Sequence, residues 1–339
     1  MADTSAHTYA LEGILTRAWQ SRGLIACTLL PWSALFFLII FSRRIFYRLG
    51  IFHSSTLPVP VIVVGNIFVG GTGKTPLVIW LVSVLRAHGF TPGVISRGYG
   101  AQANAVIEVG TDMYAAQTGD EPLLIARKCA VPVFVGRDRV AAGRGLLAAY
   151  PTVDVIISDD GLQHYALGRT MEIQLSDTRG HGNGWLLPAG PLREPPSRRS
   201  DFYVINGGTS IAGDHTYRMQ IVGTHAEQMI DGQQRIALSS LQNKRVAAVA
   251  GIGHPSRFFE MLRSQGVALE SALALPDHFD FSTNPFAGIK ADIILITEKD
   301  AVKCSRIEGI AQDARLWTVP VEASITELLA QDILERLRG

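Results

Sequence analysis

The run Val61-Ile62-Val63-Val64 leads directly into Gly65-Asn66-Ile67-Phe68-Val69-Gly70-Gly71-Thr72-Gly73-Lys74-Thr75-Pro76, and then into an apolar-periodic stretch through Arg86. A strand, a glycine loop, Lys-Thr and a helix in that order leave few folds open. Glycines permit the positive-φ turns that aim successive backbone N–H groups at phosphate, and the helix N-terminus adds its positive dipole end. Gly70, Gly71, Thr72, Gly73, Lys74 and Thr75 therefore read as a loop for the phosphates of ATP. Lys74 would reach the β and γ groups, and the Thr75 hydroxyl would hold Mg²⁺. The strict G-x-x-x-x-G-K-[ST] spacing wants glycine where this chain has Phe68, so a plain glycine-rich turn is the competing reading.

Such a loop needs a carboxylate at the end of a neighbouring strand. The run Val153-Asp154-Val155-Ile156-Ile157-Ser158-Asp159-Asp160-Gly161 supplies two, Asp159 and Asp160, just past an apolar strand. One can orient Mg²⁺ or its water while the other holds a nearby loop. Alone, Asp-Asp-Gly is more often a solvated turn. Beside the glycine loop it reads as part of a metal site.

Further apolar runs at Val94–Ile95, Val133–Val135 and Glu172–Leu175 alternate with helical stretches, the pattern of βαβ units whose strands are buried on both faces of a parallel sheet. A second βα series begins at Arg245–Gly251 and includes Ile293–Thr297 and Leu316–Val319. Gly180–Ser200, rich in Gly, Pro and Arg and without period, reads as a long loop, of a length that is usually functional or disordered. The expected fold class is α/β: a P-loop NTPase-like parallel sheet flanked by helices, with a second smaller α/β domain. The expected boundaries are an N-terminal apolar segment at 1–50, a kinase-like domain at 51–210, a linker at 211–243 and a smaller domain at 244–339.

Apolar residues make up 47% of the chain and charged ones 18%, against about 25% charged in an average soluble protein. Some surface is then covered by something other than water. The net charge of +1 lacks the basic field of a nucleic-acid binder. Cys27, Cys129 and Cys304 are widely spaced with no C-x-x-C pair, which supports neither a disulfide framework nor a zinc site. Leu24–Phe41 carries no charge; as a helix it would reach about 27 Å, close to the roughly 30 Å of a bilayer core. Pro31 interrupts it. Arg17 and Arg22 on one side answer Arg43, Arg44 and Arg48 on the other, so charge assigns no orientation. A helix lying among the headgroups of an anionic leaflet fits best, with a single span and a buried core helix as alternatives.

A GTPase would need an Asn-Lys-x-Asp base reader, and Asn243-Lys244-Arg245-Val246 lacks the aspartate. A membrane-associated switch or partition ATPase carries a signature lysine where this chain has Val69. That class stays as the alternative.

Several short segments appear in order: Gly65-Asn66 with Gly70–Pro76, Ser96-Arg97-Gly98-Tyr99-Gly100, Gly119-Asp120-Glu121-Pro122, Gly136-Arg137-Asp138-Arg139 and Asp159-Asp160-Gly161-Leu162-Gln163-His164. Leu187–Pro195, Gly251-Ile252-Gly253-His254-Pro255, Pro276-Asp277-His278 and Thr297-Glu298-Lys299-Asp300 follow. Through these the chain resembles the tetraacyldisaccharide 4′-kinases of lipid A biosynthesis from about Leu57 to Val302. The resemblance implies transfer of the ATP γ-phosphoryl group to a tetraacyl disaccharide 1-phosphate, giving lipid IVA at the cytoplasmic face of the inner membrane. It implies no protein partner. A four-chain acceptor cannot leave a bilayer cheaply, at about 0.8 kcal/mol per buried CH₂, so an apolar N-terminus has a purpose.

Asp120 on its own would more simply cap a helix, and His278 would be a solvated loop histidine. The resemblance implies instead that they meet as an Asp–His base pair across an interdomain cleft. Arg97, Arg137, Arg139 and Arg193 each follow a strand or glycine turn, where a guanidinium fork suits phosphate and an ordinary surface arginine is equally at home. With Asn66 and Glu194 they form the expected substrate-contacting set. Glu121 is a further candidate metal residue, and His164 is left between nucleotide contact and turn cap.

Overall fold

The computed structural model describes residues 15–98, 105–208 and 213–339. Tyr99, Gly100, Ile211 and the first fourteen residues of the expected N-terminal segment lie outside the described residues.

In chain order the elements are α1 (Leu24–Thr28), α2 (Leu30–Arg48), β1 (Val61–Gly65), α3 (Lys74–Ala87), β2 (Pro92–Ser96), β3 (Ile107–Glu108), α4 (Ala115–Thr118), α5 (Asp120–Cys129), β4 (Val133–Val135), α6 (Arg139–Ala149) and β5 (Val155–Asp159). Then come β6 (Met171–Asp177), β7 (Phe202–Asn206), β8 (Thr216–Val222), β9 (His225–Gln228), β10 (Arg235–Ala237), β11 (Val246–Ala250), α7 (Pro255–Ser264) and β12 (Leu269–Ala274). β13 (Ile293–Thr297), α8 (Glu298–Cys304), β14 (Leu316–Val319), β15 (Glu322–Ile325) and α9 (Glu327–Arg338) close the chain.

The first sheet runs β15-β8-β7-β6-β1-β5-β2-β4-β3. Neighbours from β8 through β4 are parallel, and β15 and β3 add antiparallel edges. Every residue of β1, β2 and β5 is buried, as expected of strands covered on both faces. The phosphate-loop strand β1 lies between β5 and β6, with Val64 level with Asp159. On α3 the buried residues Leu77, Val78, Leu81, Val82 and Leu85 recur at helical spacing, so one stripe faces the sheet. The second sheet runs β10-β9-β14-β13-β11-β12, and its own core includes Val246, Ala248, Phe258, Leu262 and Leu295.

The segment expected as a linker is built into both sheets. β8 extends the first sheet beside β7, and β9 and β10 form the edge of the second. The apolar alternation of Tyr217 and Met219, both buried, buries this stretch against the first core. The C-terminus also departs from the expected boundary: β15 pairs with β8, and Leu329, Ile333 and Leu334 of α9 join the core around β1 and α3. The second sheet is thus an insertion between β8 and β15, joined to the first by two crossings.

The apolar run is broken next to Pro31, as expected: α1 ends at Thr28 and α2 begins at Leu30, with Pro31 in its first turn, where a missing N–H costs little. Only 6% of the apolar window of α2 is buried, and Trp32, Leu38 and Ile39 are 62%, 57% and 57% exposed. This overturns the core-helix alternative. What holds α2 to the body is polar and local. Ser33 Oγ donates to the Leu186 carbonyl at 2.9 Å and accepts from Ala189 N at 2.9 Å. Arg43 lies 5.5 Å from the Tyr165 ring centre. The 180–200 stretch is free of helix and strand, as expected, and turns through a cis Leu187-Pro188 bond.

Leu81 is fully buried while Leu38 is 57% exposed. Leu81→Ala should lower unfolding free energy by about 2–5 kcal/mol, whereas Leu38→Ala should change it by less than about 0.5 kcal/mol. Urea unfolding in detergent checks both; equal losses would mean that α2 is packed as a core helix.

Candidate active site

The phosphate loop takes its shape from side chains that pin its backbone. Asn66 Nδ2 donates to the Gly70 carbonyl at 3.3 Å and to Thr72 Oγ1 at 3.1 Å. Asn206 Nδ2, at the end of β7, donates to the Thr72 carbonyl at 2.8 Å. Gly73 has φ +99°, and a Cβ there would stand 2.6 Å from that same Asn206 nitrogen. Glycine is required on both counts. Phe68, at the position where the strict pattern wants glycine, lies under the guanidinium of Arg179, 4.4 Å from ring centre to Cζ. Arg179 Nη2 also donates to the Gly71 carbonyl at 2.9 Å, and Asp177 holds it at 2.6 Å.

Lys74 opens α3 with its Nζ 3.3 Å from Asn66 Oδ1 and 3.4 Å from Asp160 Oδ1. Asn66 is fully buried and is spent on the loop and on Lys74. Asp159 is the last residue of β5, not past it, and is fully buried; Asp160 follows at φ +49°. Ser96 Oγ donates to Asp159 Oδ2 at 3.3 Å, while Asp159 Oδ1 is buried with no hydrogen-bond partner among the described residues. Burial, and after it the charge of Glu121, push the Asp159 carboxyl upward. Burial pushes Asp160 the same way, but Lys74 and Arg193 outweigh it and hold that carboxyl below its ordinary range. Arg193 Nη1 reaches Asp160 Oδ2 at 3.2 Å.

Thr75 is buried beside Lys74 at the start of α3, and Asp159 presents an unpartnered oxygen. Among the described residues no three His, Cys, Asp or Glu side chains form a protein-only cage. That fits Mg²⁺, which takes one or two carboxylates and completes its shell with phosphate oxygens and water.

Asp120 Oδ1 accepts from Glu121 N at 3.0 Å in the first turn of its helix, and its other oxygen is free for a second partner. Asp120 is the first residue of α5, after Gly119 at φ +90°, and its Oδ2 lies 3.1 Å from Nδ1 of His278, which comes from the second half. Lys299, on α8, stands 3.7 Å from Asp120, 3.2 Å from Glu121 and 3.4 Å from Asp277. Burial works to raise Asp120, but the His278 hydrogen bond and Lys299 bring it down to about 2. The bond to Asp120 raises His278 above its ordinary value against burial and the Lys299 charge. Glu121 is tied to Lys299 rather than to Asp159, though its field reaches that carboxyl.

Three of the expected substrate contacts divide from the rest. Arg139 is 3% exposed, and its guanidinium donates to the carbonyls of Gly136, Asp159 and Asp160 at 3.2, 3.3 and 3.4 Å. Its fork is consumed in shaping the end of β5, so it is a backbone organiser. Glu194 is 3% exposed and accepts from Gln163 at 2.9 Å, Tyr165 at 2.6 Å and Arg198 at 2.9 Å. It anchors the 180–200 loop. Asn66 shapes the phosphate loop. Arg97 and Arg137 are exposed at the ends of β2 and β4, and Arg193 is partly exposed beside Asp160. Burial drives the His164 pKa down to about 4, with Arg139 adding to it, so this ring is neutral.

Sequence reasoning passed over Lys299, Asp177, Arg179 and Arg257. Arg257, on α7, reaches Asp177 at 3.2 Å. Gly253, after β11, meets the phosphate loop so closely that a Cβ on it would stand 2.5 Å from Gly71 N. A Lys in Thr-Glu-Lys-Asp was visible as a motif, but its partners at 120, 121 and 277 come from two distant segments, α5 and the loop after β12.

A family model described as LpxK, tetraacyldisaccharide-1-P 4′-kinase, matches residues 25–338. The tetraacyldisaccharide 4′-kinase of Janthinobacterium sp. (strain Marseille) is 58% identical over 337 residues, covering 97% of each chain. That of Herminiimonas arsenicoxydans is 53% identical over 345 residues, covering 97% of this chain and 96% of its own. The enzyme of the same name from Methylobacillus flagellatus is 48% identical over 95% of each chain. Among solved structures, LpxK from Aquifex aeolicus, crystallised in complex with ATP, superposes with a TM-score of 0.77 at 29% identity, covering 93% of this chain and 100% of that one. By full-length sequence and by fold, the chain belongs to the tetraacyldisaccharide 4′-kinase family.

Proposed function

We propose that this chain is the kinase that moves the γ-phosphoryl group of ATP onto the 4′-hydroxyl of a tetraacyl disaccharide 1-phosphate, yielding lipid IVA, at the cytoplasmic face of the inner membrane. The observation that carries this reading is the 3.1 Å Asp120–His278 contact between the two halves, next to a carboxylate, Glu121, whose field reaches Asp159 at the phosphate loop. A base and a phosphate site in one cleft are what hydroxyl phosphorylation requires.

In this mechanism Gly70–Gly73 present backbone N–H groups to the phosphates, and Lys74 leaves Asp160 to meet the β and γ oxygens. Thr75 and Asp159, with Asp160 and Glu121 nearby, would hold Mg²⁺, which supplies charge neutralisation at the transferring group. Asp120 accepts the hydroxyl proton as the new O–P bond forms and the bond from the β–γ bridging oxygen to the γ phosphorus breaks, releasing ADP. A carboxyl held at about 2 is a weak base. That suffices where the transition state is loose and the proton moves late. His278 orients the carboxylate, and Lys299 keeps it ionised. Arg193, Arg97 and Arg137 are placed to steady phosphate oxygens of nucleotide or acceptor. The exposed face of α2 brings the site to a membrane surface.

Purified protein incubated with labelled ATP, Mg²⁺ and the tetraacyl disaccharide 1-phosphate in detergent tests the proposal. One phosphate added at the 4′ position supports it; acceptor-independent hydrolysis at comparable rate would make the chain a switch ATPase.

Removing the central cation should be costly. Lys74→Ala should keep the fold and lose roughly 10²-fold or more of turnover, measured as kcat with saturating acceptor; near-normal turnover would sink the phosphate-loop assignment. The base pair should act as a unit. Asp120→Ala and His278→Ala should each depress kcat with little change in KM for ATP, and the double variant should be little worse than the poorer single. Multiplying losses would separate the histidine from the base.

The pair should also leave a pH signature. Asp120 is lowered to about 2 from an ordinary 3.8, so its contribution to stability is present above about 3.8 and fades as pH falls toward 2. His278 is raised above 6.5, so its contribution is complete below 6.5 and is lost as pH rises through the raised value. The stability difference between wild type and His278→Gln should therefore peak between about pH 4 and 6.5 and shrink above it. A difference flat to pH 9 in urea unfolding would deny the ionic link.

A further inference from the structure

Besides the cleft, the molecule carries a second concentration of cations. A cavity of about 270 Å³ lies between the end of α2 and the 180–200 loop, lined by Phe41, Arg44, Ile45, Arg48, Ser197 and Arg199. Four of these residues are spaced i, i+3, i+4 and i+7 on α2, so they share one face of the helix. Among the described residues, Arg44, Arg48 and Arg199 make no ion pair. Their neighbour Arg198 is the opposite case: 3% exposed and bonded to both Glu172 and Glu194, at 2.7 and 2.9 Å. The loop thus turns one arginine inward to hold itself and the next outward into the cavity.

The same face of α2 continues toward its N-terminus as Phe37 and Leu38, which are 39% and 57% exposed. The Phe37 and Phe41 rings stack at 5.5 Å, making a flat apolar wall one turn above the guanidiniums. Three uncompensated forks over a small cavity suit the oxygens of a phosphate. The apolar wall beside them would be idle for a free phosphate. It suits a phosphate that carries an acyl chain.

We propose that this cavity is a binding site for one phospholipid of an anionic bilayer, its phosphate held by Arg44, Arg48 and Arg199 and one acyl chain along Phe37 and Phe41. The site is separate from the reacting hydroxyl and sets the depth and angle of α2 at the membrane. It rests on the membrane-surface reading above but not on the catalytic assignments. An annular lipid held here would join α2 to the 180–200 loop, which also carries Arg193 and Glu194.

The test uses full-length protein in neutral detergent and dioctanoyl phosphatidylglycerol, with inorganic phosphate as the second probe. Wild type should bind the lipid saturably at one site per chain, seen by titration calorimetry, and should not bind inorganic phosphate measurably in the same range. At about fivefold per cation near a lipid surface, Arg44→Gln/Arg48→Gln/Arg199→Gln should lose roughly 10²-fold in affinity. The triple Arg→Lys variant should also lose most binding, because ammonium groups lack the fork. Phe37→Ser/Phe41→Ser should weaken lipid binding while all three arginines remain. ATP binding, followed in every variant, reports that the fold is intact. Full retention in the triple Lys variant would mean diffuse surface charge and would overturn the site. So would inorganic phosphate competing on equal terms. Kinase turnover of the tetraacyl acceptor in neutral detergent separates the sources: its KM should hold in the triple Gln variant. A raised KM with unchanged phosphatidylglycerol binding would assign the cavity to the acceptor's own phosphate instead.

Discussion

Two adjacent carboxylates at the end of a buried strand are a problem in electrostatics that most of the first half is arranged to solve. Asp159 and Asp160 sit where like charges and burial both oppose ionisation. Lys74 and Arg193 answer Asp160 directly at 3.4 and 3.2 Å. Arg139, 3% exposed, adds its charge from behind while its donors fix the carbonyls of both residues. Among the described residues Asp159 receives a Ser96 hydroxyl and keeps one oxygen without a hydrogen-bond partner. A dication completes this balance better than any side chain present. Asp159 is thus the carboxylate that no cation pairs directly among the described residues, which suits a substrate that arrives with its metal.

The second half solves a matching problem at Asp120. Lys299 faces three carboxylates, Asp120, Glu121 and Asp277, and burial, which would lower its pKa, loses to their combined field. Because Asp120 and Glu121 belong to α5 of the first half and Lys299 and Asp277 to the second, this cluster is also what draws the halves together. Gly253 against Gly71, and Arg257 shared with Arg179 on Asp177, complete the approach around the phosphate loop. The contacts that join the halves and those that surround Asp120 are thus the same. Buried ion clusters of this type contribute little net stability once desolvation is charged against them.

Much of this was legible in the chain. The glycine loop, the β5 carboxylates and the buried strands announce themselves because their constraint is local: positive φ, an apolar run, a cation next to a helix start. Asp120 and His278 were reached through family resemblance, since nothing local distinguishes a proton acceptor from a cap. Arg139 misled for a physical reason. An arginine after a glycine turn looks the same in sequence whether it faces solvent or folds back onto carbonyls, and only burial decides. The domain boundaries failed similarly, because β8 and β15 are short strands at the edge of a sheet whose partner lies about a hundred residues away, with Ala323 level with Ile221.

That long-range pairing bears on how the enzyme works. An inserted second half tied to the first sheet by two crossings, at β8–β9 and β14–β15, has fewer ways to move than one hung on a single linker. Val321 N and Lys128 Nζ both bond to Glu298 beside the second crossing, and Lys128 also reaches the Val321 carbonyl at 3.1 Å. Two fixed crossings leave rotation about the line joining them as the soft motion, because other displacements would stretch both at once. His278 and Gly253 reach the first half at separate points, Asp120 and Gly71. One rotation therefore changes both approaches at once.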